Sequence, residues 1–336
     1  AIVLTIIFAL NPVAFVRAMA SDGKIPDEIY FLLQMENFLR TNYVGEINDL
    51  ELLRGAIKGM VESLNDPYSE YYTPDEFKDF NESVSGTYEG IGVVITLRDK
   101  YITVVSVFSG SPAERAGIKA GDRFIEIDGR DITGLSTAEV TKRIMGEKGT
   151  KVNIVVNRNG ETLKFEVERD IVKINPIESK IFGKGIGYIK INQFNENTVE
   201  NLDKTLDEFK KNGVVGIVLD LRNNPGGYLD QAIEVAKRFV PQGPIVNLVT
   251  RDGKTQTFMS DSEPSPFSLV VLVNGGSASA SEVLAGAIKD RNVGVLVGEQ
   301  TFGKGMVQRT LSLGALGGIK LTTAYYTTPN GTNINN

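Results

Sequence analysis

Two short segments of this sequence combine residue types that can break an acyl bond. The first is Asn274–Glu282, NGGSASASE, which follows an apolar run and places Ser279 directly before a predicted helix. The second is Gly303–Gly305, GKG, with Gln308 three residues further on. A serine hydroxyl becomes a nucleophile when a base removes its proton, and a lysine amine can be that base when burial lowers its pKa by several units. A serine and a lysine could therefore form a hydrolytic site.

Each segment also has an explanation that involves no chemistry. Ser279-Ala280-Ser281-Glu282 fits a capping box, in which the first and fourth residues satisfy the N–H groups of a helix start. Lys304 and Gln308 alone also fit a solvated loop lysine beside an ordinary strand glutamine. If the strand begins at Lys304, the two side chains point to the same side, four residues apart. Taken singly, the segments leave both alternatives open.

Composition narrows the choice of catalytic base. The chain has 336 residues and contains no histidine, cysteine or tryptophan. Ser-His-Asp and Cys-His catalysis are therefore excluded, as are disulfides and cysteine-ligated metals. We expect neither a metal nor a cofactor. With 36 Lys+Arg against 42 Asp+Glu, the net charge of −6 argues against a nucleic-acid partner, which prefers a basic face.

A glycine pair offers donors for a developing negative charge. Asp220–Gly227, DLRNNPGG, follows the buried-looking strand VVGIVLDL. We predict an oxyanion hole formed by the backbone N–H groups of Gly226 or Gly227 together with that of Ala280. The alternative is a turn that simply needs flexible residues.

The stretch before Lys304 also imitates a nucleotide-binding loop. Gly298–Gly305, GEQTFGKG, is one residue short of a P-loop, because Gly305 stands where a serine or threonine must bind Mg²⁺. A P-loop opens a helix, whereas the residues after Gly305 predict a strand. The pattern therefore argues against an NTPase.

The surrounding pattern predicts three regions. Residues 21–85 are helical, with apolar stripes such as Leu32, Met35 and Phe38 that suit packing or homodimerisation. Residues 86–170 contain short β-rich runs interrupted by two helical pieces, which predicts a compact β unit. Residues 171–336 alternate strands and helices, which predicts an α/β core.

The β unit has a candidate peptide groove. A glycine-rich turn precedes a strand, and a helix from Ser136 to Met145 can flank that strand. A peptide could add as an extra strand there, with its carboxylate on the turn N–H groups, although a plain β-turn fits the glycines equally well. The predicted peptide-binding residues are Gly90, Ile91, Gly92, Val93, Val140 and Ile144.

The first twenty residues predict a targeting segment. The apolar run AIVLTIIFAL is followed by Ala18-Met19-Ala20, which fits a signal-peptidase site. We interpret residues 1–20 as a signal peptide or membrane anchor. Either would place the rest outside the cytoplasm, in the periplasm, the cell envelope or the medium.

Six segments together carry a family resemblance. In chain order they are DPYSEYYTPDEF, GIGVVI, SPAERAGIKAGDRFIEIDG, RNNPGG, NGGSASASE and TFGKGMVQ. The sequence resembles the carboxyl-terminal processing peptidases, also called tail-specific proteases. The resemblance implies a multidomain α/β (α+β) fold with a helical N-terminal region, a PDZ-like β unit and a crotonase- or tail-protease-like catalytic core. It also implies that segments continue beyond both ends of this chain.

The resemblance assigns roles to the candidate residues. It makes Ser279 the nucleophile, Lys304 the general base and Gln308 the partner that orients the lysine, and its spacing selects Ser279 over Ser277 and Ser281. It implies protein substrates with unstructured apolar C-terminal tails, which the PDZ-like unit recognises while gating the site. The competing hypothesis is a non-catalytic PDZ scaffold that binds tails without turnover.

Overall fold

The computed structural model describes residues 27–98, 100–108, 110–183 and 185–335. They form two compact units, each assembled from separate stretches of the chain. The first unit contains the described residues up to Asp79 together with Val249–Lys254 and Met306–Tyr325. The second contains Phe80–Leu248, Thr255–Gly305 and the described residues from Tyr326 onward. The predicted targeting segment, residues 1–20, lies outside the described residues.

The first unit combines helices with a small antiparallel sheet. Asn48 begins the second helix, because its side chain accepts the N–H groups of Leu50 at 3.0 Å and Glu51 at 3.3 Å. Strand β18 lies between β1 and β17 and is antiparallel to both. The elements are α1 (Asp27–Asn42), α2 (Asp49–Glu62), β1 (Glu70–Tyr72), α3 (Pro74–Ser85, which continues into the second unit), β17 (Met306–Ser312) and β18 (Gly318–Thr327, whose last two residues belong to the second unit).

Helices α1 and α2 expose the predicted apolar stripes. Phe38 is 58% exposed and Met60 is 52% exposed, whereas Val61 is buried. Isolated exposed apolar residues are common, but a contiguous set marks a surface that is suited to a partner. The exposed members are Ile29, Tyr30, Phe31, Leu32, Leu33, Met35, Phe38, Leu39, Tyr43, Val44, Leu50, Leu53, Met60 and Leu64.

The second unit begins with the β unit that the sequence predicted. Alternating apolar residues of its strands, such as Val152, Ile154 and Val156 on β7, fill one core. Its main sheet runs in the order β3-β4-β5-β7-β8, with β6 beside β5, and β2 pairs with β9 separately. The elements are β2 (Thr87–Gly90), β3 (Val93–Arg98), β4 (Tyr101–Val107), α4 (Pro112–Ala116), β5 (Arg123–Ile127), β6 (Arg130–Asp131), α5 (Thr137–Ile144), β7 (Lys151–Arg158), β8 (Glu161–Glu168) and β9 (Asp170–Lys173).

The α/β part of the second unit is built on a sheet in the order β10-β11-β12-β15-β16. Strand β10 is antiparallel to β11, and the other pairs are parallel. Strands β12 and β15 are central and carry mostly buried side chains, as expected for a covered parallel sheet. The elements are β10 (Ile177–Phe182), β11 (Ile186–Ile191), α6 (Thr198–Lys211), β12 (Gly216–Asp220), α7 (Leu229–Lys237), β13 (Gly243–Thr250), β14 (Thr255–Ser260), β15 (Ser268–Val273), α8 (Ala280–Asp290) and β16 (Val295–Gly298).

Candidate active site

The predicted site lies at the carboxyl ends of the two central strands. In open parallel sheets this edge is where loops from neighbouring strands meet and ligands bind. The loop after β12 carries the glycine pair, and the loop after β15 carries Ser279 at the start of α8. The two loops are in contact, because the Asn223 N–H donates to the Asn274 side chain at 2.9 Å. The structure thus brings the predicted nucleophile and the predicted oxyanion loop together.

The three serines of the second loop differ in their surroundings. Ser277 and Ser281 are fully buried, and their hydroxyls donate to the carbonyl oxygens of Leu221 at 2.7 Å and Asn224 at 3.0 Å. Ser279 is only half-buried. Two of the serines are therefore held by structural hydrogen bonds, and Ser279 is the most exposed of the three.

The backbone of Ser279 adopts an unusual conformation. Its φ is 55° and its ψ is −115°, a combination that L-residues rarely adopt. Strain of this kind costs about 1–3 kcal/mol and clusters at active sites. A strained serine at a sharp strand-to-helix turn is also how α/β-hydrolases present their nucleophile. The geometry accordingly favours a catalytic role for Ser279.

The carboxylate of Glu282 connects Ser279 to the lysine loop. Glu282 is 2% exposed, and its Oε2 accepts the N–H of Ser279 at 2.8 Å, the bond expected from the capping box. The same oxygen accepts the N–H of Lys304 at 2.9 Å, while Oε1 accepts that of Gly303 at 2.7 Å. We call this arrangement the Glu282 clasp. It holds the backbone of the predicted nucleophile and that of the predicted base on one side chain.

Tyr326 makes a second connection between the same two residues. Its hydroxyl lies 2.8 Å from the carbonyl oxygen of Ser279 and 2.5 Å from that of Lys304. Burial raises the pKa of the Tyr326 phenol, and the nearby Glu282 carboxylate adds to the shift. The phenol therefore stays protonated and remains a hydrogen-bond donor.

The predicted oxyanion donors differ in availability. The N–H of Gly226 donates to the Asn224 side chain at 2.9 Å. Within the described part of the chain, the N–H groups of Gly227 and Ala280 have no acceptor. Gly226 has φ 103°, and a Cβ there would lie 2.9 Å from the Ser279 Cβ and 3.0 Å from the Ala280 nitrogen. Gly226 thus allows a close approach, while Gly227 and Ala280 supply open donors.

Asp220, which ends β12, is a buried carboxylate that pairs with the exposed Arg222. Arg222 donates to its Oδ2 at 2.6 Å and Tyr188 donates to the same oxygen at 2.8 Å. Burial raises the pKa of the Asp220 carboxyl, but the Arg222 guanidinium and these hydrogen bonds outweigh it and hold that pKa below its ordinary value. Asp220 therefore anchors the start of the glycine loop as a carboxylate.

Gln308 lies in the first unit, on β17, where its side-chain amide donates to the Thr322 hydroxyl at 3.2 Å. The strand starts at Met306, not at Lys304, and its register shifts between Val307 and Gln308. The period-two argument for Lys304 and Gln308 therefore fails, because the intervening backbone is not a regular strand. The orienting role of Gln308 stays a prediction.

The predicted peptide groove has one open side. Strand β3 ends the sheet of the described β unit, and helix α5 packs beside it. Gly92 has φ 83°, and a Cβ there would lie 2.3 Å from the Ser111 Cβ, so the turn before β3 requires glycine. The predicted contacts differ in burial: Gly90, Ile91, Val140 and Ile144 are buried, whereas Val93 is half-buried. Val140 and Ile144 are part of the core and leave little surface for a ligand in this conformation.

The described ranges contain neither a membrane-spanning helix nor a cluster of metal ligands. No helix between residues 27 and 335 that the structure describes has both the length and the apolar character to cross a membrane. Within those same ranges, no group of three or more carboxylate side chains is placed to hold a metal ion.

Sequence reasoning missed three residues that build the site. Glu282 was expected only to cap a helix, and Asn224 and Tyr326 were not singled out. A glutamate that caps a helix has a spare oxygen, but no local pattern names its distant donors. The tyrosine lies in an ordinary strand pattern, so the sequence offered no signal for it.

Comparisons with known proteins agree with this architecture. Family models match at three places: peptidase family S41 over residues 185–336, the PDZ domain over residues 90–168, and the N-terminal domain of the activating protease CtpB over residues 19–75. These matches confirm the predicted fold class. The predicted domain boundaries stay predictions.

Individual relatives give the same result. A carboxy-terminal-processing protease of Bartonella bacilliformis is 39% identical over 311 residues, covering 88% of this chain and 70% of that protein. Carboxy-terminal processing protease CtpB of Bacillus subtilis is 38% identical over 300 residues, and the match spans 87% of this chain and 62% of the relative. The solved photosystem II D1 C-terminal processing protease is 32% identical, with a TM-score of 0.53 over 90% of this chain and 83% of its own. The family resemblance is confirmed: this chain belongs to the carboxy-terminal processing proteases of peptidase family S41 and carries a PDZ domain ahead of the protease core.

Proposed function

We propose that this chain is a serine endopeptidase that cleaves proteins near their C-termini, with Ser279 as nucleophile and Lys304 as general base. The observation that carries the proposal is the Glu282 clasp, which fastens the backbones of both residues within 2.9 Å of one carboxylate. The strained, half-buried Ser279 and the open donors of Gly227 and Ala280 support it.

The reaction follows from these groups. The neutral amine of Lys304 takes the Ser279 proton while Oγ bonds to the scissile carbonyl carbon. The carbonyl oxygen becomes an oxyanion, which the N–H groups of Gly227 and Ala280 stabilise; one such donor is worth about 3–4 kcal/mol. The C–N bond then breaks, and the Lys304 ammonium gives its proton to the leaving amine. Lys304 then takes a proton from water, whose oxygen bonds to the acyl carbon; the ester C–O bond breaks, and the Lys304 ammonium returns the proton to Ser279 Oγ.

The PDZ domain supplies a means of selecting tails. An extended peptide can pair with the open edge of β3 and place its terminal carboxylate on the N–H groups of the Gly90–Val93 turn. We propose that unstructured apolar C-terminal tails bind in this way and that binding gates the protease core. The orienting role of Gln308 belongs to the same proposal.

The N-terminal region supports proposals for the location of the protein and for its oligomeric state. The apolar run within residues 1–20 supports a signal peptide or anchor and an extracytoplasmic location. The exposed apolar side chains of α1 and α2 support a homodimer formed through these helices.

The test is mass spectrometry of the products from a protein that carries an unstructured apolar tail. The wild-type chain should release C-terminal fragments, and Ser279→Ala should release none while still binding a tail peptide. Ser83→Ala is the control, because it removes an exposed serine hydroxyl that donates to the Phe80 carbonyl oxygen at 2.7 Å, outside the predicted site. Cleavage by Ser279→Ala at the wild-type rate would rule out the proposed nucleophile.

The competing PDZ scaffold predicts a different result from the same samples. A scaffold binds the tail peptide but releases no fragment, and a serine-reactive phosphonate leaves Ser279 unlabelled. Phosphonate labelling of Ser279 in the wild type, located by peptide mapping, would exclude it.

A further inference from the structure

Asn224 is a buried side chain whose polar groups are all engaged. It is 0% exposed. Its Oδ1 accepts the N–H of Gly226 at 2.9 Å, which forms an Asx turn, and its Nδ2 donates to the Ile191 carbonyl oxygen at 2.8 Å. These two bonds tie the glycine loop to the end of strand β11. A buried amide with both ends satisfied resists rotation, because any other orientation leaves polar groups unpaired.

The Asx turn fixes which N–H of the loop stays open. Because Asn224 takes the N–H of Gly226, the next donor along the chain is that of Gly227. Two backbone bonds to Phe194 hold the residues on either side of Gly227. The Phe194 N–H donates to the Gly226 carbonyl oxygen at 2.9 Å, and the Tyr228 N–H donates to the Phe194 carbonyl oxygen at 2.7 Å. In a parallel bridge of this kind, the N–H of the central residue, Gly227, points away from Phe194.

The backbone of Asn224 holds the other half of the predicted oxyanion hole. Its carbonyl oxygen accepts the N–H of Ala278 at 3.0 Å and the hydroxyl of Ser281 at 3.0 Å. These two donors flank Ser279 and Ala280 on the second loop. One residue thus connects the loop that bears the Gly227 donor with the turn that bears the Ala280 donor.

We propose that Asn224 is a positioning residue that sets the two oxyanion donors, Gly227 and Ala280, at their working separation. It acts through the backbone and touches no substrate. The proposal rests on the proposed protease function. Catalysis depends on such distances, and a misplacement of about 1 Å can cost about 100-fold in rate.

The test compares Asn224 with Asn195, a matched control in the same unit. Asn195 is also buried, at 1% exposed, and its Oδ1 accepts the N–H of Asn197, two residues on, at 3.0 Å. Its Nδ2 donates to a distant carbonyl oxygen, that of Ile174, at 3.3 Å. Substitution of either asparagine removes the same kinds of bond, so the two should lose similar stability in chemical denaturation.

The kinetics should separate the two asparagines. Asn224→Ala should lower kcat about 100-fold with KM changed less than about threefold, because the donors serve the transition state. The affinity of a peptide boronic acid, which forms a tetrahedral adduct, should fall by the same factor, while that of an uncleaved peptide should not. Asn224→Ser should recover about tenfold, since a serine forms the same turn more weakly. Asn195→Ala should keep kcat within about threefold of the wild type.

Each result decides the proposal. A kcat of Asn224→Ala that matches Asn195→Ala, or an unchanged boronic acid affinity, overturns it. If Asn224→Ala does not fold, Asn224→Ser against Asn195→Ser decides: a tenfold loss of kcat only in the former supports the proposal, and equal rates overturn it. A wild-type chain with no turnover would instead contradict the protease function, so the two failures are distinguishable.

Discussion

Two helix starts in this molecule share one sequence pattern and differ in structure. Ser136-Thr137-Ala138-Glu139 opens α5 in the PDZ domain, and Ser279-Ala280-Ser281-Glu282 opens α8 in the protease core. At α5, Ser136 has the extended backbone of an ordinary N-cap, with φ −71° and ψ 158°. The exposed Glu139 carboxylate accepts the Ser136 N–H at 2.9 Å and its hydroxyl at 2.7 Å, so the box is closed on itself.

The box at α8 is open to the rest of the fold. Glu282 is buried and accepts two further N–H groups, from Gly303 and Lys304, more than twenty residues along the chain. Ser279 departs from the N-cap conformation, with φ 55° and ψ −115°. The same four-residue pattern therefore either caps a helix or joins two loops into a site, and distant contacts decide which.

The largest effect should follow from removing the amine that the Glu282 clasp positions. Lys304→Met keeps the backbone bond to Glu282 but removes the proposed base, so cleavage of a tailed protein should fall by at least about 1,000-fold. Lys289→Met, an exposed lysine in the last turn of α8, is the control and should stay within about twofold. An initial rate of Lys304→Met near the wild type would mean that the clasp holds a loop with no catalytic role.

The next effect tests the two glutamates against each other. Glu282→Gln must turn an NH₂ group toward at least one of three N–H donors, so kcat should fall about 100-fold as the loops shift. Glu139→Gln changes only the hydrogen bonds to the exposed Ser136 and should leave kcat within about threefold of the wild type. Initial rates at saturating substrate measure both. Equal kcat values for the two variants would show that the boxes are equivalent and that the clasp is only structural.

The contrast also shows what the sequence could predict. Local signals predicted a helix directly after Ser279 and another from Ser136 to Met145. The structure has helices over Ala280–Asp290 and Thr137–Ile144, because serine and glutamate mark helix starts locally. The order of six motifs identified the family, which the comparisons confirm. Local patterns did not predict the contacts that hold the residues around Ser279 in place. The strand predicted after Gly305 begins at Met306 in the structure, so the alternative start at Lys304, on which the pairing of Lys304 with Gln308 depended, is wrong.

The helical pattern also did not predict how deeply its apolar side chains are buried. Val140 and Ile144 were predicted to line a peptide groove because they share a helix face with the right spacing. The structure packs both into the core of the PDZ domain. An apolar stripe on a helix indicates which side chains face inward. It does not distinguish a core from a binding groove, since both are apolar.

A smaller effect, on stability, should have opposite signs at the two serines. Ser279→Gly relieves a strained φ that costs about 1–3 kcal/mol, which outweighs the chain entropy of glycine at about 0.5–1 kcal/mol. It should raise the free energy of unfolding by about 1 kcal/mol. Ser136→Gly removes a cap without strain and should lower it by a few tenths of a kcal/mol. Urea denaturation measures both, and a loss of stability in Ser279→Gly would contradict stored strain.

The smallest effect is a pH dependence that belongs to the closed box. Hydrogen bonds from the hydroxyl and N–H of Ser136 lower the pKa of the exposed Glu139 carboxyl. A carboxyl whose pKa is lower in the folded state stabilises the fold above its unfolded pKa, about 4.3, and loses that contribution as pH falls through the folded value. The stability difference between wild type and Ser136→Ala should thus be constant between about pH 5 and about pH 7 and should shrink below about pH 4. In a Glu139→Gln background the same difference should not change with pH, because the titrating group is gone. A difference that shrinks equally in both backgrounds would assign the pH dependence to another carboxylate and leave the box at α5 as a cap held by neutral hydrogen bonds.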